Sequence, residues 1–423
     1  MKRTGKDISI YVHIPFCVRK CLYCDFLSFG ADTELVEEYF TALGNEILLC
    51  AVENSDYEVR SVFFGGGTPS YVDSKHICAV LNKIKEKFGV SSDAEISIEV
   101  NPGTVTKEKL ESYKDAGINR LSIGAQSMDD GELKRLGRIH DVETFLKTYE
   151  MAREVGFKNI NIDLMSGIPK QKPEDFMNNL EKVVELHPEH ISAYSLIVEE
   201  GTPFYDMELE LPTEDEDRQM YHETKSFLES KEYHRYEISN YALNSCANTV
   251  NANRFDDEFE KYESYHNKVY WKRGNYLGLG LGASSMVENI RWKNESGIRE
   301  YIEILTSENE SSTEKLVDES NNKQDEDVIN TDVVILNKLR QDVQELSANE
   351  RMEEFMFLGL RLVKGVSIYE FERQFGKSIR EVYGDVIDKY IGLGLLELQS
   401  DYLRLTEKGL DVSNTVMADF LLD

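Results

Sequence analysis

Alternation of short β-rich runs with helical patterns over the first half of the chain constrains the fold more than any other feature. Runs typical of strands occupy residues 8–13, 61–64, 95–100, 119–123, 159–164 and 190–195, and helical patterns lie between them near 34–50, 74–88, 106–116, 141–156 and 173–187. Such alternation predicts βαβ units around a parallel sheet. Six strands favour a partial (β/α)6 barrel over a closed eight-stranded one, and ligands of such folds bind where loops leave the C-terminal strand ends.

The length of 423 residues exceeds one typical core and predicts two or three domains. We expect a barrel core over 1–200, a barrel extension over 201–305, an acidic flexible insertion and linker over 306–347, and a small C-terminal domain over 348–423. The polar, acidic run at 307–330 has too little apolar content for a core. The last segment combines helices with a β-wing pattern and so resembles a winged helix. Acidic residues interleave its helices and favour a packing or partner role over DNA binding.

The net charge of −30 argues against a nucleic-acid partner, because phosphate contacts require basic clusters. The strand-like run near the N-terminus is only six residues long, too short for a signal peptide or a membrane span. The sequence therefore predicts a cytoplasmic protein with no transmembrane segment.

Three cysteines follow the first predicted strand in Cys17-Val-Arg-Lys-Cys21-Leu-Tyr-Cys24. Thiolates hold iron–sulfur clusters, and three on one short loop with no fourth favour a [4Fe–4S] cluster that keeps one iron open for another ligand. A structural zinc site usually has four protein ligands, and disulfides are rare in the cytosol. The remaining cysteines are isolated in the sequence: Cys50, Cys78 and Cys246.

Two motifs end the second and third predicted strands. Phe64-Gly-Gly-Gly-Thr68-Pro contains three glycines, which either let the backbone approach a ligand or form a tight turn. Glu99 lies at the end of the third strand, which must stop at Pro102 because proline cannot continue a central ladder. The Glu99 carboxylate is a candidate to bind an ammonium group or a ribose hydroxyl, and the alternative is an exposed strand-end carboxylate.

Polar residues also follow the fourth and fifth strands. Gln126 offers an amide at the end of the fourth strand, and Arg138 offers the bidentate geometry that suits a carboxylate. Asp163, placed at the end of the fifth strand, is the best candidate for a ribose hydroxyl. Such features on consecutive strand ends predict one cofactor site.

The sequence Tyr265-His266-Asn-Lys-Val-Tyr270-Trp271 is the last motif with chemical potential. Imidazole is a common axial ligand of haem iron, and tyrosine and tryptophan rings can flank a flat macrocycle. The alternative is a structural histidine in an aromatic cluster.

The run Tyr11-Val-His-Ile-Pro-Phe-Cys17, the three-cysteine loop, Gly-Gly-Gly-Thr-Pro and Glu99-Val-Asn-Pro together resemble the radical-SAM HemN/HemW family, over nearly the whole chain. The resemblance implies that Cys17, Cys21 and Cys24 ligate the cluster, whose open iron binds S-adenosylmethionine (SAM). It further implies SAM contacts from ten residues: Tyr11, Tyr23, Gly66, Gly67, Thr68, Glu99, Gln126, Arg138, Asp163 and Ile197. The cofactor would supply the radical chemistry, and the protein would bind and orient it.

Two features separate the branches of that family. The oxygen-independent coproporphyrinogen III oxidases have a fourth cysteine one residue after the third, where this chain has Phe26. The His-Asn-x-x-Tyr-Trp sequence resembles the haem-binding motif of the haem-chaperone branch and implies haem contacts from His266, Tyr270 and Trp271.

The expected function is that of a haem chaperone that delivers haem to acceptor haem proteins, including respiratory ones. The cluster and SAM would act in transfer or in formation of a homodimer. The alternative is the oxidase, which decarboxylates coproporphyrinogen III to protoporphyrinogen IX, so whether the chain is an enzyme stays open at this point. The acidic balance disfavours a third class, the RNA-modifying radical enzymes.

Overall fold

The computed structural model describes residues 6–30, 32–244, 260–306 and 324–422. Its strands, in chain order, are β1 (Lys6–Ile14), β2 (Tyr57–Gly66), β3 (Gly89–Val100), β4 (Arg120–Gln126), β5 (Ile160–Ser166), β6 (His190–Ser195), β7 (Tyr233–Arg235), β8 (Asn240–Leu243), β9 (Tyr276–Leu279), β10 (Ser284–Val287), β11 (Ile290–Asn294), β12 (Arg340–Glu345), β13 (Val366–Ser367), β14 (Leu396–Gln399) and β15 (Tyr402–Leu405).

The helices alternate with the first six strands and then continue to the C-terminus. They are α1 (Thr33–Glu53), α2 (Ser74–Lys87), α3 (Lys107–Asp115), α4 (Asp130–Arg135), α5 (Val142–Val155), α6 (Pro173–Val184), α7 (Glu214–Ser230), α8 (Tyr265–Trp271), α9 (Ile298–Thr306), α10 (Gln324–Leu339), α11 (Ala348–Gly359), α12 (Ile368–Phe375), α13 (Ile379–Gly392), α14 (Glu407–Asp411) and α15 (Ser413–Ala418). No helix in the described part of the chain has the length and apolar composition of a membrane span.

The chain divides into two compact units, and the first takes in the described residues of 1–123, 143–158 and 275–345. Its strands follow the order β12-β11-β10-β9-β1-β2-β3-β4. Neighbouring strands from β9 through β1 and β2 to β4 are parallel, and β9 to β12 pair antiparallel. Strand β1 is central, and its apolar side chains are buried, as expected for a parallel strand covered on both faces.

Side-chain caps fix where the helices of the first unit begin after each strand. Asp32 accepts a hydrogen bond from the amide of Leu35 at the start of α1, and Thr106 accepts one from Lys109 at the start of α3. Because each cap ends a loop that leaves a C-terminal strand end, it also limits the length and path of that loop.

The second unit takes in residues 124–142 and 159–274 and the chain from 346 onward, within the described ranges. Strands β5 and β6 pair in parallel, and β8 pairs antiparallel with both β6 and β7. Its C-terminal part forms a sheet of order β13-β15-β14 against helices α11 to α15. Apolar side chains of these elements, among them Phe371, Tyr383 and Leu403, form their shared core.

The alternating strands of the sequence prediction correspond to β1–β6, and the predicted β-wing corresponds to β14 and β15. The described part of the 306–347 segment, predicted as an insertion and linker, contains α10 and β12. Residues 307–323, the rest of that prediction, and residues 245–259, which include Cys246, lie outside the described residues.

Candidate functional site

The cysteine loop leaves the C-terminal end of β1 and is closed at its neck by backbone hydrogen bonds. The amide of Cys17 donates to the carbonyl of Phe29 (3.0 Å), and the amide of Phe29 donates to Pro15 (2.9 Å). Within the loop, the amide of Cys24 donates to the carbonyl of Cys21 (3.3 Å). Cys17 is buried, and Cys21 and Cys24 are partly exposed. Because of these backbone hydrogen bonds, the three thiols lie on one short, anchored segment.

The glycine triplet brings the end of β2 against this neck. The amides of Gly67 and Thr68 donate to the carbonyls of Ile14 and Phe16, each at 2.9 Å. Gly66 has a φ of +111°, and a Cβ there would lie 2.5 Å from the His13 ring. Glycine is therefore needed here for the close approach of the end of β2 to the segment after β1. A tight turn alone, the alternative considered for this motif, would not explain these contacts.

Polar contacts extend from the triplet to Cys17 and to the end of β3. The Thr68 hydroxyl lies 3.2 Å from the Cys17 sulfur and accepts a hydrogen bond from the Asn101 amide at 2.8 Å. The Glu99 carboxylate accepts one from the Gly66 amide at 3.2 Å. The first unit thus brings Cys17, Gly66, Thr68 and Glu99 into one continuous set of contacts.

His13 supports the far side of the cysteine loop. Its Nε2 lies 2.8 Å from the Leu27 carbonyl, and its Nδ1 lies 3.1 Å from the Tyr11 hydroxyl. Burial lowers the pKa of His13 below its usual value. We therefore assign the neutral ring with Nε2–H donating to Leu27 and Nδ1 accepting from Tyr11. Tyr23 lies between Cys21 and Cys24 and is partly buried.

In the second unit, Gln126 ends β4 with a φ of +66°, a left-handed conformation that is strained for a residue other than glycine. Its side-chain oxygen accepts a hydrogen bond from the Tyr194 hydroxyl at 2.7 Å. The Arg138 Nη2 donates to the Gly124 carbonyl at 3.0 Å. Sequence reasoning missed Tyr194, although an aromatic residue near the end of the sixth strand was a usable indication.

The position predicted for Asp163 at a strand end is wrong. Asp163 is the fourth residue of β5, which continues to Ser166, and it pairs in register with Ser192. Its carboxylate accepts a hydrogen bond from Asn161 at 2.7 Å. The prediction failed because the polar Ser166 still pairs with Ser195 of β6, which extends the strand beyond its apolar run.

Other polar groups occupy the actual ends of β5 and β6. The Ser195 hydroxyl donates to Asp217 at 2.8 Å and lies 3.0 Å from the Ser166 hydroxyl. Ser166, Ser195 and Asp217 were not among the site residues predicted from the sequence. Ile197, which follows β6, is 68% exposed.

The haem motif forms helix α8, whose first turn is capped by the Ser264 hydroxyl. His266 is buried, with 2% of its surface exposed, and its Nε2 lies 2.9 Å from the Tyr270 hydroxyl. The Trp271 ring faces the Arg361 guanidinium at 4.3 Å. The structure therefore brings His266 and Tyr270 into contact and places Trp271 against a cation.

The chemistry of the donor set fits an iron–sulfur cluster better than a hard cation, because the loop offers three thiols. Among the described residues, no group of three or more His, Cys, Asp or Glu side chains is arranged to hold a metal ion. Cys17, Cys21 and Cys24 are the residues that would hold such a cluster, through their thiolates.

Comparison with known proteins defines the class first. The Radical SAM superfamily model matches residues 11–183, and the HemN C-terminal domain model matches residues 346–412. The solved structure of coproporphyrinogen III oxidase (HemN) from Escherichia coli, a radical SAM enzyme, aligns with a TM-score of 0.77 at 23% identity over 99% of this chain and 91% of that one. The fold and the cysteine loop define a radical-SAM protein, and the predicted α/β fold class is confirmed.

The relatives narrow the class to one family. Heme chaperone HemW of Bacillus subtilis is 32% identical over 98% of this chain and 99% of its own length. That of Lactococcus lactis is 32% identical over 99% and 98%, and that of Escherichia coli is 35% identical over 66% and 70%. The chain belongs to the HemW family, as its motifs predicted, and membership of the superfamily implies a [4Fe–4S] cluster and SAM as cofactors.

Proposed function

We propose that the chain is a haem chaperone that binds haem at His266, Tyr270 and Trp271 and transfers it to acceptor haem proteins. The observation that carries the proposal is the sequence His-Asn-x-x-Tyr-Trp on helix α8, in a chain similar to heme chaperones over nearly its full length. Imidazole can ligate haem iron, and the two aromatic rings can contact the macrocycle.

The proposal assigns the cluster to Cys17, Cys21 and Cys24, on the loop held by His13 and by the Phe29 backbone. A bound cluster and SAM supply one-electron radical chemistry. The partly exposed Glu99 carboxylate, the strained Gln126 and the open glycine backbone offer polar groups for SAM. The full proposed set is Tyr11, Tyr23, Gly66, Gly67, Thr68, Glu99, Gln126, Arg138, Asp163 and Ile197.

We propose that the protein acts in the cytoplasm, on acceptor haem proteins and as a homodimer. Unbridged, closely spaced thiols need a reducing compartment, which supports the cytoplasm. Acceptor haem proteins are the partners that a chaperone requires, and a homodimer is the arrangement in which we propose that the cluster acts. Size-exclusion chromatography with and without the cluster tests the dimer.

The alternative function is oxidative decarboxylation of coproporphyrinogen III. Asp25 and Phe26 follow Cys24 where the oxidase pattern has a fourth cysteine, which disfavours this function. The likeness to the HemN structure shows a common fold and does not decide between the two.

One experiment separates the two functions. Anaerobically reconstituted protein receives coproporphyrinogen III, SAM and a reductant, and a parallel sample is titrated with haem. Saturable haem binding that is lost in His266→Ala and kept in His222→Ala, an exposed histidine on α7, supports the chaperone. Formation of protoporphyrinogen IX at catalytic turnover overturns it.

A further inference from the structure

Side-chain contacts join the end of helix α8 and the residues just after it to the C-terminal domain of the second unit. The Arg273 Nε lies 3.0 Å from the Glu354 carboxylate, and these side chains are only 6% and 7% exposed. The Arg361 guanidinium covers the Trp271 ring at 4.3 Å. We call these four residues, Trp271, Arg273, Glu354 and Arg361, the clasp.

The backbone and a buried carboxylate hold Arg361 in place. Glu237 forms an isolated bridge with Leu362, and the Val363 amide donates to the Tyr236 carbonyl at 2.9 Å, so the backbone after α11 is paired with residues 236–237. The Arg361 Nη2 lies 3.7 Å from the buried Glu237 carboxylate, and this cation opposes the effect of burial, which raises the pKa of Glu237. The backbone pairing and the Glu237 carboxylate thus favour the position of the Arg361 guanidinium over the Trp271 ring.

In this closed arrangement, two groups of the haem motif already have partners. The Tyr270 hydroxyl is hydrogen-bonded to the Nε2 of His266. An iron atom that binds this nitrogen must therefore displace the Tyr270 hydroxyl. A macrocycle that stacks on the covered face of Trp271 must displace Arg361. Haem that uses both the His266 Nε2 and this face of Trp271 therefore requires the Tyr270 hydroxyl and the Arg361 guanidinium to move away.

The closed arrangement also contains unsatisfied polar groups. Among the described residues, neither the Trp271 Nε1 nor the Arg361 Nε has a hydrogen-bond partner, although both atoms are buried. A buried donor without a partner costs free energy. The two orphaned donors therefore lower the cost of opening, as expected of a contact that has to be released.

We propose that Arg361 is a positioning residue by which the C-terminal domain limits haem access to His266. The inference rests on the proposed function, since it takes haem as the ligand. When only an open fraction of molecules can bind, the apparent dissociation constant equals the intrinsic one divided by that fraction. Weakening the contact between Arg361 and Trp271 raises the open fraction and so tightens apparent haem binding.

The test is a haem titration of the full-length chain, followed by Soret absorption, with stopped-flow measurement of the association rate. Arg361→Ala is expected to lower the apparent Kd by about tenfold, which corresponds to about 1.4 kcal/mol and lies within the range of cation–π contacts. Arg361→Lys keeps the charge near Glu237 without the planar stack and should give an intermediate Kd. Arg373→Ala, which removes an exposed ion pair with Glu370 in the same domain, is the matched control and should change nothing.

Thermal unfolding of each variant separates access from folding. Should Arg361→Ala unfold, Arg361→Lys still carries the test, because it keeps the buried Glu237 near a cation. An unchanged or weaker haem affinity in the folded Arg361 variants overturns the inference while leaving haem binding by His266 intact. Haem binding that is insensitive to His266→Ala overturns the proposed function, and the inference with it.

Discussion

A fully buried carboxyl group in the first unit should make the free energy of unfolding depend on pH by a predictable amount. Glu46, on α1, accepts hydrogen bonds from the Gly280 amide (2.8 Å), the Tyr301 hydroxyl (2.5 Å) and the Asn294 amide (2.6 Å). Burial raises the pKa of Glu46 from 4.5 to about 7, against the opposing effect of these donors. The folded state therefore holds the Glu46 proton more tightly than the unfolded state does.

The sign and size of the effect follow from that pKa. Below about pH 4.5 both states are protonated and Glu46 changes nothing. Between about pH 4.5 and about pH 7 the unfolded chain releases the proton first, so stability falls as the pH rises. Above that window both states are ionised and the full loss, about 3 kcal/mol at 1.36 kcal/mol for each pKa unit, is present.

Glu46→Gln removes the titrating group while keeping its size. Urea unfolding of the natural chain and the variant at about pH 5 and about pH 8 gives the stability difference at each pH. That difference should shift by about 2.5 kcal/mol in favour of the variant between the two conditions. Glu111→Gln, at an exposed position on α3, is the control and should show no such shift. A difference that is the same at both pH values would refute a raised pKa at Glu46.

Three further predictions concern the cysteine loop and the clasp. Gly66→Ala places a Cβ 2.5 Å from the His13 ring at a φ of +111°. The free energy of unfolding should therefore fall by more than about 1 kcal/mol, and the iron content after reconstitution should fall sharply with it. A normal iron content in this variant would contradict the need for glycine at this close approach. Cys21→Ala should abolish the broad visible absorption of the cluster, whereas retention of a full [4Fe–4S] signal would place the ligands elsewhere. Arg273→Gln removes the cation that contacts the buried Glu354 carboxylate and should cost roughly 3 kcal/mol in urea unfolding, with partial recovery on adding Glu354→Gln. Equal stability of the natural and single-variant chains would show that this ion pair does not stabilise the fold.

Local periodicity was sufficient to predict the first six strands, because short β-rich runs alternate with helical patterns over this half of the chain. It did not predict β9, which is four residues long and contains Gly278. Strand β9 exists through its parallel pairing with β1, from Ser9 opposite Tyr276 to Val12 opposite Leu279. A strand defined by a partner so distant in sequence has too weak a local pattern to be recognised.

In the candidate site, too, the features with a local sequence pattern were predicted and those that depend on distant partners were not. The cysteine spacing and the glycine triplet are local, so the sequence was enough to select them. The partners that hold these motifs are distant in sequence: Asn101 for Thr68, Tyr194 for Gln126, and Arg361 for Trp271. Residue type alone does not indicate such pairs, because asparagine, tyrosine and arginine are also common on ordinary surfaces.

Tyr39 shows why the cysteine loop has a rigid base. Its buried hydroxyl donates to the His13 carbonyl at 2.7 Å and accepts from the Leu281 amide at 3.2 Å. Its ring lies 5.4 Å from that of Tyr301, which donates to Glu46. The end of β1 is thus fixed from behind by α1, α9 and the turn after β9, while Phe26 in the loop is exposed. A firm base beneath a partly exposed segment suits a cluster site, because the thiols can converge on iron without disturbing the strand that positions them.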